Sequence, residues 1–120
     1  MFKKLGAVLV ALGVVGCGAG GTDDKQVVTT WDLNGIPATI ENCNNTPIRV
    51  VELQFSDSTD LVLGITRLEC QNGFYGFPVS VDKTVSNVRV LFYGRGSLLH
   101  VEQKPVSSEQ ISYVHFRFSR

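Results

Sequence analysis

Two histidines, two arginines and a tyrosine near the C-terminus are the side chains best suited to receive a ligand or partner. They are Arg89, Tyr93, His100, His115 and Arg117. Side chains alternate along a strand, and this places several of the five on an outward face of a predicted sheet. The favoured interpretation of this face is nevertheless a solvated surface with ordinary cross-strand pairs. Neither histidine has an identifiable carboxylate partner or nucleophile in the sequence, so the pattern does not predict acid–base catalysis.

The sequence contains none of the common catalytic or cofactor motifs. It has no G-x-S-x-G, H-E-x-x-H, Walker or Rossmann pattern. Residues 94–97, "GRGS", stand between two predicted strands and indicate a hairpin turn. Asp57 and Asp60 of "DSTD" lack the further oxygen ligands of a calcium loop and indicate a polar turn. We therefore predict a protein that is not an enzyme and holds no metal or cofactor, with a hydrolase as the least favoured alternative.

The N-terminus has the layout of an export signal. Two lysines precede the apolar run "LGAVLVALGVV", which is shorter than the roughly 20 residues that a membrane-spanning helix needs. The run ends in "VVGC", which resembles the lipobox of bacterial lipoproteins. The resemblance implies that residues 1–16 are cleaved and that Cys17 carries a lipid on its sulfur. The alternative is a free or disulfide-bonded Cys17 behind an unrelated cleavage site.

A lipidated Cys17 determines where the protein resides. Stable anchoring takes two or more acyl chains, and a diacylglycerol thioether supplies them. Gly18 rather than aspartate follows the cysteine, and in lipoprotein sorting this resemblance favours the outer membrane of the bacterial cell envelope. Residues 17–26 are glycine-rich and then charged, which is typical of a flexible tether. The predicted folded domain is residues 27–120.

The charge balance argues against nucleic acid as a partner. The chain has 11 basic and 11 acidic residues, and removal of Lys3 and Lys4 with the signal would leave a slight excess of acidic ones. Nucleic-acid binders present basic patches or stripes instead.

Cys43 and Cys70 are an even pair once Cys17 is assigned to lipid. In an oxidising compartment such a pair predicts a disulfide, which would stabilise a domain of this size. Two buried free thiols are the alternative. A zinc site is less favoured because it needs four ligands, and His100 and His115 stand alone.

Short runs rich in valine, isoleucine, threonine and aromatic residues alternate with turn signals from residue 27 onward. The candidate strands are "VVTTW" (27–31), "PATIENC" (37–43), "IRVVELQF" (48–55), "LVLGITRLEC" (61–70), "FYGFPVSV" (74–81), "NVRVLFYG" (87–94), "SLLHVEQ" (97–103) and "ISYVHFRF" (111–118). Seven or eight short strands at this spacing predict an all-β fold, an antiparallel β-sandwich.

Alternation predicts which side chains of these strands form the core. The inward residues are Val51, Leu53, Phe55, Val88, Val90, Phe92, Val114, Phe116 and Phe118. Glu52 and Gln54 are expected to face outward. Gly64 indicates a β-bulge, and Trp31 is expected to plug the core or cover a sheet edge.

The pattern "TTWDLNG…C…IRVVEL", then "CQNG", then "NVRVLFYG" resembles small predicted lipoproteins that are abundant in myxobacteria. The likeness lies at Trp31, Cys43, Cys70, Gly73 and the strand from Val88 to Phe92. It implies an immunoglobulin-like or transthyretin-like sandwich. Where those proteins carry a Gly-x-Tyr step, this chain has "VDKTVSN". The resemblance implies no activity.

These patterns together predict a lipid-anchored, non-enzymatic envelope protein that displays a small β-sandwich as a binding or assembly module. Its expected contacts are the membrane, through the lipid, and an envelope protein or glycan. The alternative is an accessory lipoprotein subunit that docks to a larger secretion or motility complex. Sandwich edges and loops serve either purpose, so the fold alone does not separate them.

Overall fold

The structure is a computed structural model that describes residues 25–80 and 82–119. The predicted signal segment, Cys17 and residues 18–24 of the predicted tether lie outside the described residues. In the described residues, the first strand begins at Lys25, two residues before the predicted start of the domain at residue 27. Within the described ranges, no helix is long and apolar enough to cross a membrane.

Eight strands and one short helix form the domain. The strands are β1 (Lys25–Leu33), β2 (Ile36–Pro37), β3 (Val50–Ser56), β4 (Val62–Glu69), β5 (Phe74–Val79), β6 (Asn87–Tyr93), β7 (Leu98–Pro105) and β8 (Ile111–Phe118). The helix α1 spans Ile40–Asn44, and a single 3-10 turn spans Cys70–Asn72. The prediction of an all-β sandwich with seven or eight strands is confirmed.

The strands divide into two sheets. In the β1 sheet, β1 is central, with β8 on one side and β5 and β2 on the other. In the β3 sheet the order is β4-β3-β6-β7, all antiparallel. The pairing of β1 with β8 is parallel, which the antiparallel prediction did not include. A parallel pair needs a long connection, and the rest of the domain supplies it here.

The core lies between the inner faces of the two sheets. Every residue predicted to face inward on β3, β6 and β8 is buried. The Phe55 ring stacks on Phe77 with centroids 4.2 Å apart, and the Phe92 and Phe118 rings lie 5.4 Å apart. Aromatic contacts of this kind add to the free energy of area burial. Strand alternation therefore correctly predicts the inner faces.

The predicted bulge in β4 is confirmed. Phe55 pairs with Gly64 but Ser56 pairs with Val62, so Leu63 is the extra residue. A Cβ on Gly64 would lie only 2.7 Å from Cζ of Phe77. Glycine at this position therefore lets the Phe77 ring of one sheet reach the Phe55 ring of the other.

The predicted strand over residues 37–43 is wrong. Only Pro37 of that run belongs to a strand, and α1 follows after a short connection. The Thr39 side chain accepts a hydrogen bond from the Asn42 backbone N–H at 3.1 Å, and Glu41 lies in the first turn of the helix. A threonine N-cap and an early acidic residue both stabilise a helix start. These two signals outweigh the β-propensity of "ATI".

The disulfide between Cys43 and Cys70 is present, as predicted, with Cα atoms 6.1 Å apart. It joins α1 to the 3-10 turn, and both cysteines are buried. Trp31 is also buried, and its indole N–H donates to the Cys70 carbonyl at 2.9 Å. Trp31 therefore plugs the core and ties β1 to the turn that carries the disulfide.

Different loops and turns lie at the two ends of the sandwich. At the end where β1 starts, which we call the near end, lie the turn after β3 and the connections before β6 and β8. At the opposite, far end lie α1, the disulfide and the hairpin turn at Asn34 and Gly35. Both turn residues have positive φ, of 55° and 89°. Such a turn matches the twist of the strands that it joins.

Candidate functional site

The five polar and aromatic residues predicted to form a ligand face do not share one face. His115 and Arg117 lie on the outer face of the β1 sheet, on β8. Arg89 and Tyr93 lie on the outer face of the β3 sheet, on β6. The sandwich core separates the two pairs, so the prediction of a single constellation is wrong.

His100 faces inward. It lies directly opposite the buried Phe92, and the two ring centroids are 6.1 Å apart. Its ring also contacts the edge of Phe118 at 6.3 Å. The pairing of β6 with β7 shifts between Phe92 and Tyr93, and Leu99 is the extra residue. Because His100 lies next to this irregularity, simple alternation gives no reliable face for it.

The structure brings His115 and Arg117 together with two residues that the sequence did not single out, Thr30 and Asp32. Thr30 and Asp32 are alternate residues on the outer face of β1. The parallel register places Thr30 opposite His115 and Asp32 opposite Arg117. We call these four residues the polar cluster. Alternation in "TTWDL" could have placed Thr30 and Asp32 outward, but only the β1–β8 pairing supplies their partners.

Asp32 is the centre of the polar cluster. Its Oδ1 accepts from Arg117 Nε at 3.0 Å and from the Gly35 backbone N–H at 3.2 Å. Its Oδ2 lies 2.8 Å from His115 Nε2 and accepts from Arg117 Nη2 at 3.3 Å. The expectation that neither histidine has a carboxylate partner is therefore wrong for His115, and also for His100, whose Nε2 lies 3.5 Å from Glu102 Oε1. Both carboxylate oxygens are fully engaged, which holds the side chains of His115 and Arg117 in place.

The charge of Asp32 is stabilised by this arrangement. Burial on its own would raise the pKa of Asp32. The hydrogen bonds from Arg117, His115 and Gly35, together with the charge of Arg117, hold that pKa below its ordinary value of 3.8. The Arg117 pKa is raised in turn, chiefly by its hydrogen bonds to Asp32.

His115 also contacts a hydroxyl group. Its Nδ1 lies 2.7 Å from Thr30 Oγ1, so hydroxyl, imidazole and carboxylate follow one another across two strands. A nucleophile, a base and an orienting acid have this order in hydrolases. Here Arg117 already pairs with the carboxylate, and the imidazole is half exposed on a sheet face. Three clefts lined by described residues lie at the near end of the sandwich, away from the polar cluster. The geometry therefore suits the recognition of polar groups better than covalent catalysis.

Two aromatic side chains stand exposed on the same face as the polar cluster. Tyr113 is 75% exposed and Phe74 is 63% exposed. Tyr113 is on β8 and lies opposite Val28 of β1. Phe74 is on β5 and lies opposite Thr30 of β1. Among the residues that the structure describes, no ring or cation packs against either of them. The outer face of the β1 sheet thus has two exposed aromatic residues beside the polar cluster.

The outer face of the β3 sheet has a different character. Glu52 lies on this face as predicted but is buried, because Arg67 covers it and donates to its Oε1 at 2.7 Å. Burial alone would raise the pKa of Glu52, but the hydrogen bonds from Arg67 and Gln54 hold it below its ordinary value of 4.5. Leu98 and Val101 lie on the same face, exposed along the edge strand β7. This face therefore combines a closed ion pair with an apolar edge.

The described part of the chain contains no group of three or more metal-ligating side chains. Asp57, weighed above as a calcium ligand, is engaged within its own turn. Its Oδ1 accepts from the Thr59 backbone N–H at 2.8 Å, from the Thr59 hydroxyl at 2.7 Å and from the Leu61 N–H at 3.0 Å. These contacts are those of a polar turn, as predicted.

Replacing Asp32 with asparagine should lower the free energy of unfolding at neutral pH by about 1 to 2 kcal/mol, because charged hydrogen bonds are lost. Since the folded-state pKa is depressed, this contribution is present above pH 3.8 and is lost as the pH falls through the folded value. Urea denaturation between about pH 3 and pH 7 should show the wild type and variant converging in acid. Asp60→Asn, at an exposed turn position, is the matched control and should track the wild type. A difference between wild type and Asp32→Asn that is independent of pH would contradict this account.

Comparison with known proteins adds no relative. No protein-family model, characterised protein or solved structure matches the chain. A functional conclusion must therefore come from the residues and the geometry.

Proposed function

We propose that the chain is a lipid-anchored, non-enzymatic protein of the bacterial cell envelope, with the outer membrane as its site. Its β-sandwich acts as a binding module, and the outer face of the β1 sheet is the binding surface. The observation that carries this proposal is the polar cluster, held by its own hydrogen bonds and lying beside two exposed aromatic rings. Exposed aromatic residues beside ordered polar groups are typical of recognition surfaces.

The position of this surface along the sandwich supports the proposal. Residues 18–24 are all that separate Cys17 from β1, so Lys25 can lie at most about 28 Å from a lipid on Cys17. Along β1, Asp32 is then about 23 Å beyond Lys25. A sandwich anchored in this way has its near end toward the membrane and the polar cluster at its far end. The surface would therefore be accessible to a partner.

The anchor is tested by replacing Cys17 with serine. The wild type should be labelled by a radioactive or clickable fatty acid and should fractionate with membranes. Cys17→Ser should lose the label and appear as an unprocessed or soluble exported form. Ser107→Ala, a change of a hydroxyl in the loop before β8, is a control that should leave labelling intact. Recovery of Cys17→Ser in a correctly processed, membrane-bound form would refute the lipobox interpretation.

The alternative function, a subunit that docks to a larger envelope complex, is favoured by the β3 sheet. Leu98, Leu99 and Val101 are 48%, 40% and 44% exposed along β7. Apolar residues that adjoin one another at a sheet edge suit a protein partner. A photo-crosslinking residue at position 101 should then yield one discrete protein adduct in cells, whereas position 113 should not. Adducts from position 113 alone would favour the β1 sheet as the binding surface.

A further inference from the structure

We propose that the outer face of the β1 sheet binds an uncharged polysaccharide chain. This inference rests on the proposed function, because it names the ligand class of the same surface. It depends on three properties of this face. They are the distance between its aromatic rings, its mixture of hydrogen-bond donors and acceptors, and the mutual neutralisation of its charged side chains.

The separation of the aromatic residues fits a chain of sugar units. Tyr113 and Phe74 are two strands apart and two residues apart along the strand direction. Their Cα atoms are therefore about 12 Å from one another. The C–H face of a sugar ring packs on an aromatic ring, which offers a large rigid apolar surface. Two rings this far apart would contact different units of one chain rather than a single monosaccharide.

The polar groups beside the rings can both donate and accept, as sugar hydroxyls require. Arg117 directs Nε and Nη2 to Asp32, and a guanidinium has five N–H donors, so others are left for a ligand. Gln26 offers an amide oxygen and an amide nitrogen on the same face. A Cβ on Gly76 would lie 2.8 Å from that nitrogen, so the glycine lets the Gln26 amide lie across β5.

The charge of the face favours an uncharged partner. Among the residues that the structure describes, Asp32 and Arg117 are the oppositely charged pair on this face, and they neutralise each other at hydrogen-bond distance. A polyanion would meet the Asp32 carboxylate, and a polycation would meet the Arg117 guanidinium. Neither would find a surplus of the opposite charge.

The distribution of apolar surface favours a saccharide over a protein. Protein interfaces concentrate their binding energy in a contiguous central cluster of buried anchors. On the β1 sheet, polar side chains adjoin both aromatic residues, because Thr30 lies opposite Phe74 and His115 follows Tyr113 on the same face of β8. On the β3 sheet, Leu98, Leu99 and Val101 form an exposed apolar edge, where the docking alternative places a protein partner.

The test is affinity electrophoresis of the processed chain, purified from the envelope in detergent. Native gels would contain dextran, laminarin, galactomannan or hydroxyethylcellulose as neutral polymers, and alginate as an acidic one. At least one neutral polymer should slow the wild type. Tyr113→Ala and Phe74→Ala should each weaken this binding about tenfold, and Tyr113→Phe should retain it. Val101→Ala, which trims an exposed apolar side chain on the other sheet, is the control and should bind like the wild type.

Three results would overturn the proposal. They are no retardation by any neutral polymer, retardation by alginate alone, and equal weakening by Val101→Ala. Circular dichroism of each variant establishes that the fold is retained. A photo-crosslinking residue at position 113 distinguishes a wrong ligand class from a wrong binding surface. A protein adduct without polysaccharide binding would overturn the ligand class and leave the binding surface standing, whereas the absence of both would reject the binding surface as well.

Discussion

Replacing Cys43 and Cys70 together with alanine is expected to lower the free energy of unfolding by about 3 to 4 kcal/mol. The disulfide closes a loop across a sequence separation of 27, and its loss lets the unfolded chain sample many more conformations. A small domain has only about 5 to 15 kcal/mol of stability in total. The melting temperature should therefore fall by roughly 12 to 30 °C. Circular dichroism melts of the purified chain measure this directly.

Reduced wild-type protein is the control for this prediction. It should melt close to the double alanine variant, because both lack the cross-link while the buried sites stay apolar. Alanine is preferable to serine here, since both sulfurs are buried and a hydroxyl would need a partner. If protein taken directly from the envelope exposed both thiols to a maleimide after unfolding without reductant, the disulfide would be excluded.

Trp31→Ala should cost about 3 to 5 kcal/mol, comparable to the loss of the disulfide. The side chain is buried in the core and its indole N–H donates to the Cys70 carbonyl. Truncation would leave a large cavity and an unpaired buried carbonyl. Because Trp31 is the only tryptophan, unfolding should be followed by circular dichroism rather than fluorescence.

Trp31→Phe separates the contribution of the buried ring volume from that of the hydrogen bond to the Cys70 carbonyl. It keeps most of the ring volume but cannot donate to Cys70, so its cost should be about 1 to 3 kcal/mol. Trp31 contacts the turn that bears the disulfide. The free-energy costs of Trp31→Ala and of the double cysteine replacement should therefore not be additive. A cost below about 1 kcal/mol for Trp31→Ala would show that the side chain is not the core plug described here.

The wrong prediction of a strand at residues 37–43 shows that local sequence pattern does not determine the secondary structure of a short element. The five residues of α1 would not hold a helix alone, because short helices are marginal in water. The Thr39 cap, the disulfide and the packing of Cys43 against the end of the sandwich stabilise it. A threonine such as Thr39 can cap a helix or lie in a strand, and where the chain runs next decides between the two.

The sequence by itself determined seven of the eight strands and the inner faces of β3, β6 and β8. Side chains alternate with a period of two, so Val51, Leu53 and Phe55 had to share a face wherever that strand lay. Once Cys17 is assigned to lipid, as the sequence predicts, Cys43 and Cys70 are the two cysteines left to pair.

The tertiary structure alone decided the candidate site. Thr30 and His115 are 85 positions apart in sequence, and they meet because β1 and β8 run parallel in one particular register. Alternation states which face of a strand a residue occupies, but it does not state which strand lies alongside. That choice is made by how the two sheets bury their apolar faces together, and the polar cluster on the outside follows from it.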